Sequence, residues 1–205
     1  MNQKKPIIIA VTGASGALYA IRLIGRLIES ELNVHLIFSD HGRELFEYEL
    51  EFTPDIEKCS AFLSKTMNIM GTLKYLTIFK NNNLSAPPAS GNSSYDTMIV
   101  IPCSMNTLSS VSCGRASNLI ERAADVMLKE KKRLILVPRE TPLSAIHLKN
   151  MLNVTDAGGL ILPAMPAFYF KPPTLDDIAD FIAAKIFNAA GIDASFVKKW
   201  TGKEG

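Results

Sequence analysis

Small polar residues that could bind an anion follow the first predicted strand. The strand Ile7–Val11 leads into Thr12–Ala17 (TGASGA), a turn that opens a helix. Gly13 and Gly16 would let the backbone approach a ligand closely, and the free N–H groups of a helix start suit an anion or a polar ring edge. The alternative is a tight turn in which Ser15 is only a cap. We favour ligand binding because the turn follows a strand.

A second polar helix start follows the fourth predicted strand. Ser104, Asn106 and Thr107 place three short hydrogen-bonding side chains at the first turn of a helix. Together with the turn after the first strand, they would suit a mononucleotide that has both a ring and a phosphate. Because Ser, Thr and Asn are also common N-caps, simple helix capping is the alternative.

A charged pair, Arg139 and Glu140, follows the fifth predicted strand and stands between two prolines. The arginine could bind a phosphate through two parallel hydrogen bonds, and the glutamate could donate or accept a proton beside it. The alternative is a surface ion pair that contributes little. Cys103 could act as a nucleophile, although a lone cysteine among apolar residues is more often a small buried hydrophobe.

A nicotinamide cofactor fits these residues poorly. The first turn is not GxGxxG, and the second strand ends in Ser39, with Asp40 one position later, where a dinucleotide site needs an acid. The residues alone therefore predict an α/β protein with an anionic, phosphorylated ligand of undecided identity.

These side chains need a scaffold, and the hydrophobic pattern predicts alternating strands and helices. Strands are predicted at 7–11, 34–38, 75–79, 97–101, 134–137 and 160–162, and helices at 18–29, 43–50, 56–67, 118–130, 144–152 and 174–190. This alternation predicts one α/β domain over residues 1–205, Rossmann-like and doubly wound, with a mostly parallel sheet and helices on both faces. Arg22 would lie on the polar side of the first helix.

Composition excludes several functional classes. The net charge of +2 gives no reason to expect nucleic-acid binding. Three cysteines without a CxxC pair and three scattered histidines predict no metal site and a reducing, cytoplasmic compartment. No apolar run approaches the roughly 20 residues of a membrane helix. The apolar loop Pro163–Phe170 predicts an interface or an apolar ligand site.

Five segments together resemble the UbiX type of flavin prenyltransferase, within the flavoprotein family that also includes the cysteine decarboxylases. The matching segments are Thr12–Ala17, Ala86–Gly91, Asn118–Val126, Leu136–Leu143 and Pro166–Tyr169. They occur in the family's order and extend over nearly the whole chain. Pro102–Thr107 only partly matches the cysteine decarboxylase motif Pro-Ala-Ser-Ala-Asn-Thr, which favours the prenyltransferase branch. Residues 59–80 match nothing that we can assign.

The resemblance implies a specific reaction. Such enzymes join a dimethylallyl group from dimethylallyl monophosphate to N5 and then C6 of reduced FMN, without a metal. The prenylated FMN then serves a partner decarboxylase, for example in ubiquinone synthesis. The family forms dodecamers whose sites are shared between subunits, which would cover the apolar loop and the tail from about residue 191.

The resemblance also implies roles for individual residues. The FMN contacts would be Gly13, Ala14, Ser15, Ser39, Ser104, Met105, Asn106, Thr107 and Arg139. The prenyl phosphate would be surrounded by Ser90, Gly91, Arg122, Lys129, Arg139, Glu140, Tyr169 and Lys185. The catalytic residues would be Ser15 and Glu49 for proton handling at the flavin, Glu140 and Lys129 at the phosphate, and Tyr169 and Trp200 beside the prenyl group.

Two other functions stay open from the sequence. One is an FMN-dependent decarboxylase that acts directly on an aromatic acid or a cysteine. The other is a flavin carrier without catalytic activity.

Overall fold

A computed structural model describes residues 5–197, over which six strands are interspersed with seven α-helices. The strands are β1 Ile7–Val11, β2 Val34–Phe38, β3 Leu76–Lys80, β4 Thr97–Cys103, β5 Arg133–Pro138 and β6 Leu160–Ile161. The helices are α1 Ala17–Glu29, α2 Asp40–Leu50, α3 Ile56–Met67, α4 Met105–Ser112, α5 Leu119–Lys129, α6 Ala145–Asp156 and α7 Leu175–Ala190, and Thr72–Tyr75 and Pro87–Ala89 form short 3₁₀ turns.

The strands form one sheet in the order β3-β2-β1-β4-β5-β6, and every described pairing is parallel. β1 lies at the centre, where Ile9 pairs with Leu36 of β2 on one side and with Ile99 of β4 on the other. The strand order reverses between β1 and β4, and such a reversal opens a crevice at the carboxyl edge. The predicted doubly wound, Rossmann-like fold is confirmed.

Helices cover both faces of the sheet, because successive side chains of a strand point to opposite faces. Ile7, Ile9 and Val11 pack with α1, α3 and α7, whereas Ile8 and Ala10 pack with α4, α5 and α6. All five side chains are at most 5 % exposed, which explains the continuous apolar run of a central parallel strand. Within residues 5–197, no helix has the length and apolar character needed to cross a membrane.

The start of α2 differs from the prediction. The sequence pattern predicts a helix from Arg43, but α2 begins three residues earlier, at Asp40. Ser39 is its N-cap, and the Ser39 Oγ accepts a hydrogen bond of 3.0 Å from the Gly42 N–H. The serine that ends β2 therefore turns the chain directly into the helix.

Arg22 does not lie on a polar face, so that prediction is wrong. α7 packs against α1 and brings Asp180 to Arg22, which is only 7 % exposed. The Arg22 Nε donates to the Asp180 Oδ1 at 2.9 Å, and Arg26 binds the same carboxylate. The helical pattern could not reveal this partner, because it is 158 residues away in sequence.

Removing the Asp180 carboxylate should strongly destabilise the fold. Asp180→Ala would leave two arginines without their shared buried partner, and we expect a loss of about 3–5 kcal/mol in the free energy of unfolding, measured with urea. Glu29→Ala, which removes an exposed partner of Arg26, should cost less than about 1 kcal/mol. Equal costs for the two variants would contradict this interpretation.

The same carboxylate predicts how stability depends on pH. Burial raises the pKa of Asp180, but hydrogen bonds and charge from Arg22 and Arg26 outweigh burial and hold the pKa below its ordinary value. A folded-state pKa below the unfolded one stabilises the protein above the unfolded pKa, about 4. This contribution should therefore disappear as the pH falls below about 4, and wild type should lose more stability there than Asp180→Ala.

Candidate active site at the carboxyl edge

Thr12 joins the two loops that flank the crevice between β1 and β4. Its backbone N–H and its hydroxyl both donate to the Pro102 carbonyl, at 3.2 and 2.8 Å, and its hydroxyl accepts from the Ser104 N–H at 2.8 Å. The turn after β1 and the start of α4 are thus held together at the switch point. The local sequence predicts that Thr12 lies in the turn but indicates no role for its side chain, because its partners lie 90 or more residues away.

The two glycines of the first turn are required by close neighbours. A Cβ on Gly13 would lie 2.7 Å from the His41 Cβ at the start of α2. Gly16 has a φ of +124°, and a Cβ there would lie 2.8 Å from the Tyr19 ring. Both positions thus need glycine for packing against α2 and α1, before any ligand is considered.

Glu49 lies at the start of α1, although it belongs to α2. Its carboxylate accepts hydrogen bonds from the Gly16 N–H at 3.0 and 3.2 Å and from the Ala17 N–H at 2.7 Å. Gly16 is the N-cap of α1 and has no side chain to satisfy these donors. Glu49 supplies the missing acceptor, and its charge suits the positive end of the helix. The carboxylate therefore sits one residue from Ser15, as an acid–base role at this turn would require.

Arg139 reaches across from the end of β5 to the same turn. Its Nε donates to the Ser15 carbonyl at 2.9 Å. Burial raises the pKa of Tyr19, and the nearby positive charge of Arg139 opposes part of that rise. The side chain of Arg139 thus lies against the turn after β1. The adjacent Glu140 is exposed and accepts from the Thr141 N–H at 2.9 Å.

Helix capping accounts for the serines of the other two helix starts. Ser39 caps α2, and the Ser104 Oγ accepts from the Thr107 N–H at 3.3 Å as the N-cap of α4. Capping was the alternative to ligand binding for Ser104, and the two roles are compatible because both helix starts lie at the carboxyl edge. Met105 is half-buried in the first turn of α4, Asn106 is exposed and Thr107 is buried.

Four of the predicted phosphate-binding residues form one group at α5. Arg122 and Lys129 belong to the helix, and Ser90 and Gly91 belong to a loop that packs against it. The Arg122 Nε donates to the Ala89 carbonyl at 3.3 Å, next to Ser90. A Cβ on Gly91 would lie 3.5 Å from the Lys129 Nζ. Carboxylates already partner both cations, since Arg122 pairs with Asp125 at 3.0 Å and Lys129 with Glu130 at 3.2 Å.

The Lys129 end of this group does not meet Arg139 within one chain. α5 ends at Lys129, and β5 begins four residues later at the amino edge of the sheet. Arg139 follows the other end of the same strand. The sequence pattern could not separate the two groups, because residues that surround one ligand need not come from one edge of one chain.

Tyr169 and Lys185 meet at the ring of Phe181 on α7. The Tyr169 ring centroid lies 6.4 Å from that of Phe181, and the Lys185 Nζ lies 5.3 Å from the Phe181 centroid. Both side chains are exposed. Trp200, which was expected to close over the prenyl group, lies outside the described residues 5–197.

Cys103 is unsuited to nucleophilic attack. Its side chain is fully buried, and burial raises the pKa of its thiol to about 12. The thiolate needed for attack is therefore scarce at neutral pH. Within the part of the chain that the structure describes, no three His, Cys, Asp or Glu side chains are grouped as a metal ion would need.

Comparison with known proteins identifies the family. The flavoprotein family model matches residues 1–187. The flavin prenyltransferase UbiX of Methanothermobacter thermautotrophicus is 42 % identical over 206 residues, which cover all of both chains. This chain belongs to the flavoprotein family.

Two solved structures of this family have the same fold. AnUbiX (PadA1), crystallised with FMN and dimethylallyl pyrophosphate, is 37 % identical, has a TM-score of 0.87, and the match covers 98 % of this chain and 100 % of that one. A dodecameric FMN-dependent UbiX-like decarboxylase from Escherichia coli O157:H7 is also 37 % identical, with a TM-score of 0.82 and coverage of 96 % and 100 %. The predicted family and fold are therefore confirmed over nearly the whole chain.

Proposed function

We propose that this protein is a flavin prenyltransferase that transfers a dimethylallyl group from dimethylallyl monophosphate to reduced FMN. The observation that carries the proposal is the full-length identity of 42 % to a flavin prenyltransferase. The site supports it, because the side chains of Glu49 and Arg139 both bind backbone groups of the turn after β1. Ligands of this kind of fold bind at that edge of the sheet.

The crevice offers suitable groups for FMN. The backbone of Gly13, Ala14 and Ser15 and the helix starts at Ser39 and Ser104 present polar groups at one edge of the sheet. Arg139 is a bidentate donor for the FMN phosphate or for the prenyl phosphate. Reduced FMN is the acceptor substrate, and it supplies the electron-rich N5.

The chemistry needs charge stabilisation and proton transfers at the flavin, the prenyl group and the phosphate. The allyl C–O bond breaks and phosphate leaves, while a C–N bond forms at N5, which loses its proton. The C=C bond of the attached prenyl group then takes up a proton, and the carbocation that results bonds to C6, which loses a proton as the ring closes. Cationic side chains stabilise the leaving phosphate, and the Tyr169 ring stabilises the allyl cation. We assign Glu140 to protonation of the phosphate, and Glu49 with Ser15 to proton transfer at the flavin.

The two groups of phosphate-binding residues meet, in this proposal, between subunits of a homo-oligomer. Arg139, Glu140, Tyr169 and Lys185 would come from one subunit, and Ser90, Gly91, Arg122 and Lys129 from another. The dodecameric relative supports such an assembly, as do the exposed side chains of Met165 and Phe168, at 66 and 67 %. We propose a dodecamer.

Inactive variants of the two groups should complement each other. Arg139→Ala and Lys129→Met should each have little activity, but oligomers reassembled from both chains should regain about a quarter of wild-type turnover or less, because some sites then receive one intact residue from each chain. Reassembly of two differently tagged Arg139→Ala chains is the control. No recovery from co-purified mixed oligomers, or a single-chain mass of 22.5 kDa in solution, would contradict the shared site.

The product is proposed to serve a separate decarboxylase, as in ubiquinone synthesis, and the protein to work in the cytoplasm. A reducing compartment is consistent with the free thiols of Cys59, Cys103 and Cys113. Prenylated FMN is formed here as a product to be released, so the chain needs no decarboxylation substrate of its own.

A direct decarboxylase is the second candidate, because the E. coli relative bears that description. The two functions release different products. A prenyltransferase releases phosphate only when reduced FMN and dimethylallyl monophosphate are both present, under anaerobic conditions. A decarboxylase releases carbon dioxide from an aromatic acid or a cysteine peptide without the prenyl donor, and a flavin carrier does neither. Carbon dioxide without phosphate would overturn our proposal.

A further inference from the structure

The end of α5 fixes the direction of Lys132. Lys131 adopts the left-handed conformation, with a φ of 55°. Its N–H donates to the Leu128 carbonyl at 3.1 Å, and the Lys132 N–H donates to the Met127 carbonyl at 2.8 Å. This pair of bonds is a Schellman motif, which ends the helix with one defined turn. The side chain of Lys132 therefore leaves the helix end from a fixed backbone.

Lys132 binds the loop that carries Ser90 and Gly91. Its Nζ donates to the Gly91 carbonyl and to the Ser93 carbonyl, both at 3.1 Å. The loop also closes on itself, since the Ser93 N–H and hydroxyl donate to the Ser90 carbonyl at 3.2 and 2.6 Å. Because a peptide bond is planar, fixing the Gly91 carbonyl also fixes the plane between residues 91 and 92.

Lys129 is the last residue of α5, three residues before Lys132, and its side chain lies against the same loop. Its ammonium lies beside Gly91, where an added Cβ would be 3.5 Å away, and Glu130 pairs with it at 3.2 Å. Lys129 is thus held by a carboxylate and is available to a phosphate that replaces Glu130. The Lys132 ammonium has two carbonyl partners instead, so its contacts serve the loop rather than a ligand.

We propose that Lys132 is a positioning residue for the prenyl phosphate. By holding two carbonyls of the 90–93 turn, it sets where Ser90 and Gly91 lie relative to Lys129 and Arg122. This inference rests on the proposed function, in which these four residues bind the donor phosphate. Because the Lys132 ammonium binds two carbonyls of the loop, its proposed action is through Ser90 and Gly91 and not by touching the substrate.

Kinetics of three variants test this role. Lys132→Met keeps the length of the side chain but loses its donors, so the KM for dimethylallyl monophosphate should rise about tenfold while kcat changes by less than about twofold. Lys132→Arg retains donors for both carbonyls and should restore most of the lost KM. Lys131→Met removes a neighbouring exposed charge and should leave KM unchanged.

The outcomes separate this inference from the proposed function. Wild type that forms no prenylated flavin overturns the proposed function itself. If wild type is active, an unchanged KM in Lys132→Met overturns the positioning role. So does a parallel loss of kcat, FMN affinity and melting temperature that Lys132→Arg does not rescue, because that pattern marks a purely structural lysine. A KM defect confined to the prenyl donor and rescued by arginine supports the role.

Discussion

Glu49→Gln should lower the rate of flavin prenylation by about 10²–10⁴-fold, the usual contribution of a general acid or base. Glu49 is held beside Ser15 by the N–H groups of Gly16 and Ala17, so it is an ordered part of the turn and not a surface carboxylate. Glutamine keeps the size and one acceptor oxygen but cannot take a proton. FMN affinity should therefore change by less than about threefold. If Glu49 acts at ring closure, the variant should accumulate flavin that is linked at N5 only.

Glu47→Gln is the matched control for this variant. Glu47 lies two residues earlier on α2, is exposed, and accepts from the Thr53 hydroxyl at 2.8 Å. Its replacement should leave the rate of prenylation unchanged. Wild-type turnover in Glu49→Gln would remove Glu49 from the chemistry and leave it only the capping of α1.

Arg139→Ala should weaken binding of FMN or of the prenyl phosphate by about 30-fold or more, which corresponds to about 2 kcal/mol. Arg139 is half-buried at the end of β5 and is anchored to the Ser15 carbonyl, so its guanidinium is directed at the turn after β1. Calorimetric titration with each ligand measures the loss and identifies the phosphate that Arg139 binds.

A suitable control for Arg139 must be an exposed arginine, and Arg22 does not qualify because it is buried against Asp180. Arg115 follows α4 and is exposed, and the hydrogen bond described for its guanidinium goes to the nearby Ser117 hydroxyl at 3.0 Å. Arg115→Ala should not affect affinity. Equal, small losses in both variants would mean that the phosphate is bound elsewhere.

The sheet was predictable because its strands have an unambiguous local signature. β1 and β2 begin and end where the sequence predicted, since short β-branched apolar runs buried on both faces have few other conformations. The start of α7 was predictable for a similar reason, because Thr174 and Asp177 form a capping box at the residue where the helix was predicted to begin. Local patterns thus account for the order of the elements and the edge where ligands bind.

Contacts between distant residues were not predictable. The Arg22–Asp180 pair and the links of Glu49 to α1 depend on how helices pack, and no local pattern reports that. The separation of Lys129 from Arg139 was likewise not predictable from a local pattern. The resemblance placed both residues around one phosphate, but only the three-dimensional structure reveals that a single chain puts them at opposite edges of its sheet.

Mass spectrometry of the flavin tests the central claim most directly. The protein is incubated anaerobically with FMN, a reductant and dimethylallyl monophosphate, and the flavin is then released and weighed. We expect FMN to gain one five-carbon prenyl unit, and only in the presence of both the protein and the prenyl donor. Unmodified FMN under these conditions, from protein that has bound the flavin, would contradict the claim that this protein is a flavin prenyltransferase.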